Sequence, residues 1–253
     1  MATITTFKNM KMLLSSAKTM GTTPLFASQN PAFLPESAQL MSSLKKWNLK
    51  KVAAFYGTSS SLSLKVHAMI AAWDLEAHSN GGSAALGQFK GEAFAKLDVD
   101  HMSPKVQDYA LDNIVIGSGL YGLVRGNDAI MHYRLDMGQK IDNSGLKTFW
   151  RPRGSALLKA ICEDDFLVNI ASAEYGEAFD LMGIDVYEVD FWQIVSGKRR
   201  AMSVFSKQAR GLMARHLCHH ASDGLDALEG FSDEGYLLVE RADGGKRFVF
   251  ERS

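Results

Sequence analysis

Between Ser196 and His219 the chain carries Lys198, Arg199, Arg200, Lys207, Arg210 and Arg215 and no carboxylate. Cations clustered in this way gather anions such as phosphate, a nucleotide or nucleic acid. Just upstream, residues 163–190 hold Glu163, Asp164, Asp165, Glu174, Glu177, Asp180, Asp185, Glu188 and Asp190 without a Lys or Arg. The chain as a whole has 28 basic and 28 acidic residues and a formal net charge of +0, so charge is sorted into blocks rather than absent. Two roles are open for the cations: holding a ligand, or forming a solvated face that neutralises the acidic block.

At 100° per residue, a helix over roughly 201–218 puts Lys207, Gly211, Ala214, Arg210 and Arg215 within about 140° of arc. Phe205, Ala209, Leu212, Met213, His216 and Leu217 fall on the other side. One face is apolar and suits the core. The other pairs three cations with two small residues, which would admit a close-approaching partner.

The elements that must position these groups are drawn from 253 residues with 46% hydrophobic content, enough for a substantial core. No linker divides the chain, since His78–Ser83 is only a loop's length, so residues 12–253 are expected as a single compact domain behind an extension at 1–11. No apolar run approaches a membrane span and the start lacks a secretory pattern, which points to a cytoplasmic protein with no membrane partner. Cys162 and Cys218 lie far apart and outside any zinc spacing, so both are expected as reduced thiols. His216, His219 and His220 near Cys218 fit a helix carboxyl terminus better than a metal site. Neither a metal nor a cofactor is expected, and the oligomeric state cannot be read from the sequence.

The coarse order is mixed α/β: a strand at Met12–Ser15, helices at Ser37–Lys46 and Lys65–Trp73, a short buried strand at Ala84–Phe89 and a helix from Ser103-Pro104 to Leu111. Buried strands follow at Asn113–Gly117 and Phe166–Ile170. Ile184–Phe191 alternates as a half-exposed strand, and Tyr236–Glu240 with Arg247–Glu251 make a terminal hairpin across Asp243-Gly-Gly. A mixed sheet surrounded by helices follows. Polar or glycine-rich clusters recur at strand ends, at Ser15–Lys18, Phe89–Gly91, Gly117–Gly122 and Asn169–Ser172, where sheet proteins open clefts. Gly117-Ser-Gly119-Leu-Tyr-Gly122 spells GxGxxG, but no acidic residue ends a second strand in a βαβ unit, so it is not a dinucleotide fingerprint.

Seven blocks carry a family resemblance: Leu14–Met20, Phe89–Gly91, Ser118–Arg125, Tyr133–Gly138, Asn169–Tyr175, Ser206–Arg215 and Gly230–Tyr236. In order and spacing over roughly 12–252 they resemble the YaaA peroxide-stress protein family. The resemblance implies one compact mixed α/β domain and a cytosolic location. It also implies protection from hydrogen peroxide through intracellular iron, and DNA binding by a positive cleft and a helix-hairpin-helix-like element. The chain departs from the family pattern in having Ser16 and Gly126 where proline is usual and Phe94 for a customary Tyr. Loss of the prolines would loosen the turns beside Lys18 and Arg125.

The leading expectation is that Lys18, Lys90, Arg125, Arg134, Lys207, Arg210 and Arg215 line one cleft and contact nucleic-acid phosphates, with Ser118, Gly119 and Gly122 presenting backbone N–H groups. The rival is an enzyme acting on a small anionic or nucleotide-like substrate, with Lys18, Lys207, Glu174, Asp136 and Tyr121 as catalytic candidates and Asp128, Glu234 and Tyr175 nearby. A deep pocket of small-ligand size favours the enzyme, an open groove nucleic acid. Direct iron ligation finds no support in the spacing of His67, His101 and His132.

Overall fold

The structure, a computed structural model, describes residues 9–79 and 83–253; residues 1–8 of the expected extension and the Asn80-Gly81-Gly82 centre of the expected loop lie outside them. In chain order the elements that matter here are β1 (Met10–Ser15), α1 (Leu34–Lys45), α2 (Leu49–Tyr56), α3 (Ser60–Ala72), α4 (Glu92–Leu97), α5 (Pro104–Asn113), β2 (Ile114–Ser118) and β3 (Gly122–Arg125). They continue as α6 (Leu146–Ile161), β4 (Phe166–Asn169), β5 (Asp185–Val195), β6 (Lys198–Arg200), α7 (Ser203–His219), β7 (Leu237–Ala242) and β8 (Arg247–Arg252).

These strands form one eight-stranded sheet in the order β7-β8-β5-β4-β1-β2-β3, with β6 paired to the far end of β5. The run β2-β1-β4-β5-β8 is parallel, and the antiparallel strands β3, β6 and β7 sit outside it. Composition explains the layering. β2 and β4 are buried at every residue, as a parallel sheet covered on both faces requires, whereas β5 alternates buried and half-exposed positions. The mixed α/β class expected from the sequence is the class observed.

β1 lies between β2 and β4, so the chain leaves β1 for one side and returns on the other. Such a reversal opens a crevice beyond the carboxyl ends of the strands. The loops after β1 and β4 border it. Ser16 and Gly126, which stand where proline is usual in the resembling family, each pair their backbone N–H. The Ser16 N–H donates to Gly117 O at 3.0 Å and the Gly126 N–H to Ile114 O at 2.8 Å, bonds a proline lacks the hydrogen to make.

One local expectation is corrected. Ala84–Phe89 is not one strand: Ala84 ends a short extended piece paired with Ala129–Ile130, Ala85–Gln88 form one buried helical turn, and Phe89–Lys90 is extended again, pairing with Thr19–Met20. A short apolar run without polar alternation fits either state, and burial on all sides chose the turn. The Gly117–Gly122 segment turns into the β2–β3 hairpin, with Ser118 opposite Gly122, consistent with its rejection as a dinucleotide fingerprint.

Candidate functional site

The crevice is a cleft of about 430 Å³. Its floor is the paired strand ends: Ser172 N–H donates to Ser15 Oγ at 2.9 Å, and the Ser15 and Ser172 hydroxyls lie 3.1 Å apart. One wall carries Lys18, whose Nζ is 3.0 Å from Asp136 Oδ2, and Glu174, whose Oε1 accepts the Gly138 N–H at 2.8 Å. Behind them the buried Tyr175 hydroxyl accepts from Ser16 Oγ at 3.1 Å and from the Met137 N–H at 3.4 Å. Burial pushes its pKa up to about 12, so it stays a neutral phenol at physiological pH.

The facing wall is built by α4 and α7. Lys90 Nζ donates to Thr23 Oγ1 at 2.6 Å and lies 3.5 Å from Asp100. Glu92 accepts from Gln208 at 2.7 Å. Lys207 is exposed at the cleft and has no carboxylate partner among the described residues. The Arg210 guanidinium donates to the Ile170 and Ala171 carbonyls. Its burial lowers its pKa, while Asp190 and Glu188 oppose the shift, and an arginine so placed remains a cation.

The structure thus brings together Lys18, Lys90, Asp136, Glu174, Lys207 and Arg210. Arg134 stands beside them, its Nη1 3.5 Å from Lys18 O. Several expected members lie elsewhere. Arg125 pairs with Val115 near the start of β2, at the opposite end of the sheet from the cleft, because the hairpin reverses the chain. Its neighbour Asp128, fully buried, accepts the Arg125 N–H at 2.8 Å and Gln29 Nε2 at 2.8 Å. Arg215, five residues beyond Arg210 on α7, pairs with Asp98 at 3.3 Å. Glu234 is held by Lys96 and Arg252. Tyr121 is fully buried, bonded to Trp73 Nε1 at 2.9 Å and His78 Nε2 at 3.0 Å, and holds the core.

Ser118, Gly119 and Gly122 present no anion cradle either. Ser118 Oγ is buried 2.6 Å from Tyr133 Oη, and a Cβ on Gly119 would fall 2.2 Å from Leu135 O. At Gly122 it would fall 2.5 Å from the Trp150 ring. The glycines make room for the protein itself. The same holds on α7: Gly211 and Ala214 are buried, and a Cβ on Gly211 would lie 1.9 Å from Ala93 O. Their close partner is α4, not a ligand. The acidic block is met mainly from elsewhere: Asp185, Asp190 and Asp165 pair with Lys246, Arg247 and Lys11, and of the basic stretch Arg210 acts on Asp190 and Glu188.

Burial at Asp128 raises its pKa to about 6 against an unfolded value of 3.8. The native state therefore binds the proton more tightly, and stability falls as pH rises from about 4 to about 6. Asp128→Asn is expected to flatten that part of the stability–pH profile in urea denaturation; an unchanged slope would contradict the assignment.

Both thiols are buried, with pKa values pushed up to about 11 at Cys162 and about 12 at Cys218. The thiolate is the peroxide-reactive form, so burial disfavours reaction at both cysteines. Ellman's reagent at pH 7 should label the native chain far more slowly than the urea-unfolded chain; equal rates would overturn this. Among the described residues no group of three or more His, Cys, Asp or Glu side chains is arranged to hold a metal ion, and no helix is long and apolar enough to cross a membrane.

One feature escaped the sequence reading although its signal was there. From Ser37 to Trp73 the chain has no Asp or Glu, yet carries Lys45, Lys46, Lys50, Lys51 and Lys65. All five are exposed on or beside α1–α3, and none has a carboxylate partner among the described residues. The path continues to the cleft: Tyr56, the last residue of α2, donates its hydroxyl proton to Arg134 O, and Arg134 adjoins Lys18.

A family model described as peroxide stress protein YaaA matches residues 10–242. The chain is similar to UPF0246 proteins of Verminephrobacter eiseniae (32% identical, over 96% of this chain and 98% of that one) and Hahella chejuensis (29%, over 96% and 99%). A UPF0246 protein of Paracidovorax citrulli is 33% identical over 96% of this chain and 98% of its own.

Proposed function

The chain belongs to the peroxide stress protein YaaA family, and from that premise we propose that it is a cytoplasmic nucleic-acid-binding protein that lessens hydrogen peroxide damage by limiting intracellular iron. The observation that carries the nucleic-acid reading is the set of five exposed lysines between Ser37 and Trp73, a span without Asp or Glu, none of which has a carboxylate partner among the described residues. α2 and α3 are joined by Gly57-Thr58-Ser59, with Gly57 left-handed at φ 57° and Asn48 and Ser59 capping the two helices, which is where a helix-hairpin-helix-like element fits. Phosphate contacts of this kind position a duplex without reading its bases. With no iron-holding cluster among the described residues, the effect on iron is indirect. Titration of a fluorescent duplex tests the reading: affinity must fall linearly with log salt. No binding at low ionic strength would reject it.

A second reading rests on the cleft's size and its carboxylates. Its roughly 430 Å³ falls within the usual 300–1,000 Å³ range for small-molecule sites, and Asp136 and Glu174 would repel a polyanion. It favours a small anionic or nucleotide-like substrate, with Lys18, Lys207, Asp136 and Glu174 as the acid–base candidates.

A further inference from the structure

We propose that the cleft is a bipolar site for one small phosphomonoester carrying hydroxyl groups, a sugar phosphate or nucleoside monophosphate, held with its phosphate against α4 and α7 and its hydroxyls against Asp136 and Glu174. The inference rests on the second reading above and gives it a ligand class.

The two walls differ in sign. The α4–α7 wall presents Lys90, Lys207 and Arg210; of the carboxylates beside them, Glu92 is engaged by Gln208 and Asp100 lies 3.5 Å from Lys90. Lys207 has no anionic partner among the described residues. Arg210 spends only its two Nη1 hydrogens on the Ile170 and Ala171 carbonyls, leaving three of its five N–H donors. Three cations on one cleft wall suit a phosphate dianion, since hydrogen bonds between charged partners are stronger than neutral ones.

The opposite wall holds two carboxylates against one cation, Lys18. Carboxylates only accept hydrogen bonds, so what they seek from a ligand is a donor, and sugar hydroxyls are donors. Glu174 Oε1 takes the Gly138 N–H, leaving Oε2 unengaged among the described residues. Between the walls, Tyr175 Oη accepts twice, from Ser16 and Met137, so its own proton is available to a ligand oxygen. Ser16 is the residue that stands where the resembling family usually has proline, and its hydroxyl fixes that orientation.

Calorimetric titration of the full chain with ribose 5-phosphate, 5′-AMP, inorganic phosphate and ribose tests this. Saturable binding of ribose 5-phosphate or 5′-AMP is expected, at least tenfold tighter than inorganic phosphate and with no measurable binding of ribose. Lys207→Ala, at an exposed position, should weaken the phosphomonoester at least tenfold, and Glu174→Gln should narrow its advantage over inorganic phosphate. Inorganic phosphate binding as tightly as ribose 5-phosphate would overturn the bipolar ligand class while leaving an anion site. Absence of saturable binding by all four would overturn the small-ligand reading as well. Binding unaltered by Lys207→Ala would place the ligand outside the cleft.

Discussion

Replacing Lys50 and Lys51 together by alanine is expected to lower duplex affinity by about one to two orders of magnitude at 0.1 M salt and to make the slope of log affinity against log salt shallower by about 2. Each lysine that neutralises a phosphate releases close to one counterion, so the slope counts lost contacts and the affinity follows from it. The fold should not suffer. Both residues are exposed in the first turn of α2, where a cation opposes the helix dipole and alanine is the better helix former. The Asn48 cap, which accepts the Lys51 backbone N–H at 2.9 Å, survives the change. Only the stacking of Lys51 Nζ 4.2 Å over Trp47 is lost, about 0.5–1 kcal/mol. Lys198→Ala with Arg200→Ala, on the exposed β6 hairpin, removes the same charge elsewhere and should leave the slope nearly unchanged. Fluorescence anisotropy across a salt series decides the matter: wild-type slope in the Lys50/Lys51 variant would remove the helix surface from the interface.

Gly211→Ala should be among the most damaging single-methyl additions to this chain, costing about 2–4 kcal/mol and lowering Tm by roughly 4–16 °C. The added Cβ would meet Ala93 O at 1.9 Å, the Ala93 carbonyl carbon at 2.7 Å and Lys96 Cβ at 2.9 Å. The obstacle is the backbone of α4, which cannot rotate away. Alanine's helix propensity returns about 1 kcal/mol, less than the clash removes. α4 must shift off α7, and Lys90 and Glu92 at its amino end shift with it, so ligand binding in the cleft should weaken in parallel. Calorimetric Tm is the readout, and an unchanged or raised value would mean that the α4–α7 contact is looser than its geometry.

The comparison of these two sites shows what was readable beforehand. The amphipathic helix at 203–219, the buried strands β2 and β4 and the alternating β5 follow from periodicity, because the side-chain period of an element is a local property. The small-residue face around Gly211 was legible as a place of close approach, but not what approaches, since α4 comes from more than a hundred residues away. The lysines of α1–α3 were legible too, through the missing carboxylates between Ser37 and Trp73, and needed only the same charge counting applied to a second window.

Arg125 and Arg215 show the limit most plainly. In sequence each is a cation in a block resembling the others; in space one sits at the far end of a hairpin and the other five residues beyond Arg210 on α7, beside Asp98. Most element types, the family and the sorting of charge are carried by local pattern and were legible in the chain, with Ala84–Phe89 the exception. Which cations share a cleft, which glycines face protein instead of a ligand, and that Lys18 meets Asp136 across 117 intervening residues came from the tertiary structure. The physical reason is that propensity and periodicity act over one or two turns, whereas the partner of a charge or of a bare glycine is set by sheet order, and β1 gained its neighbours β2 and β4 from chain segments that no local pattern connects.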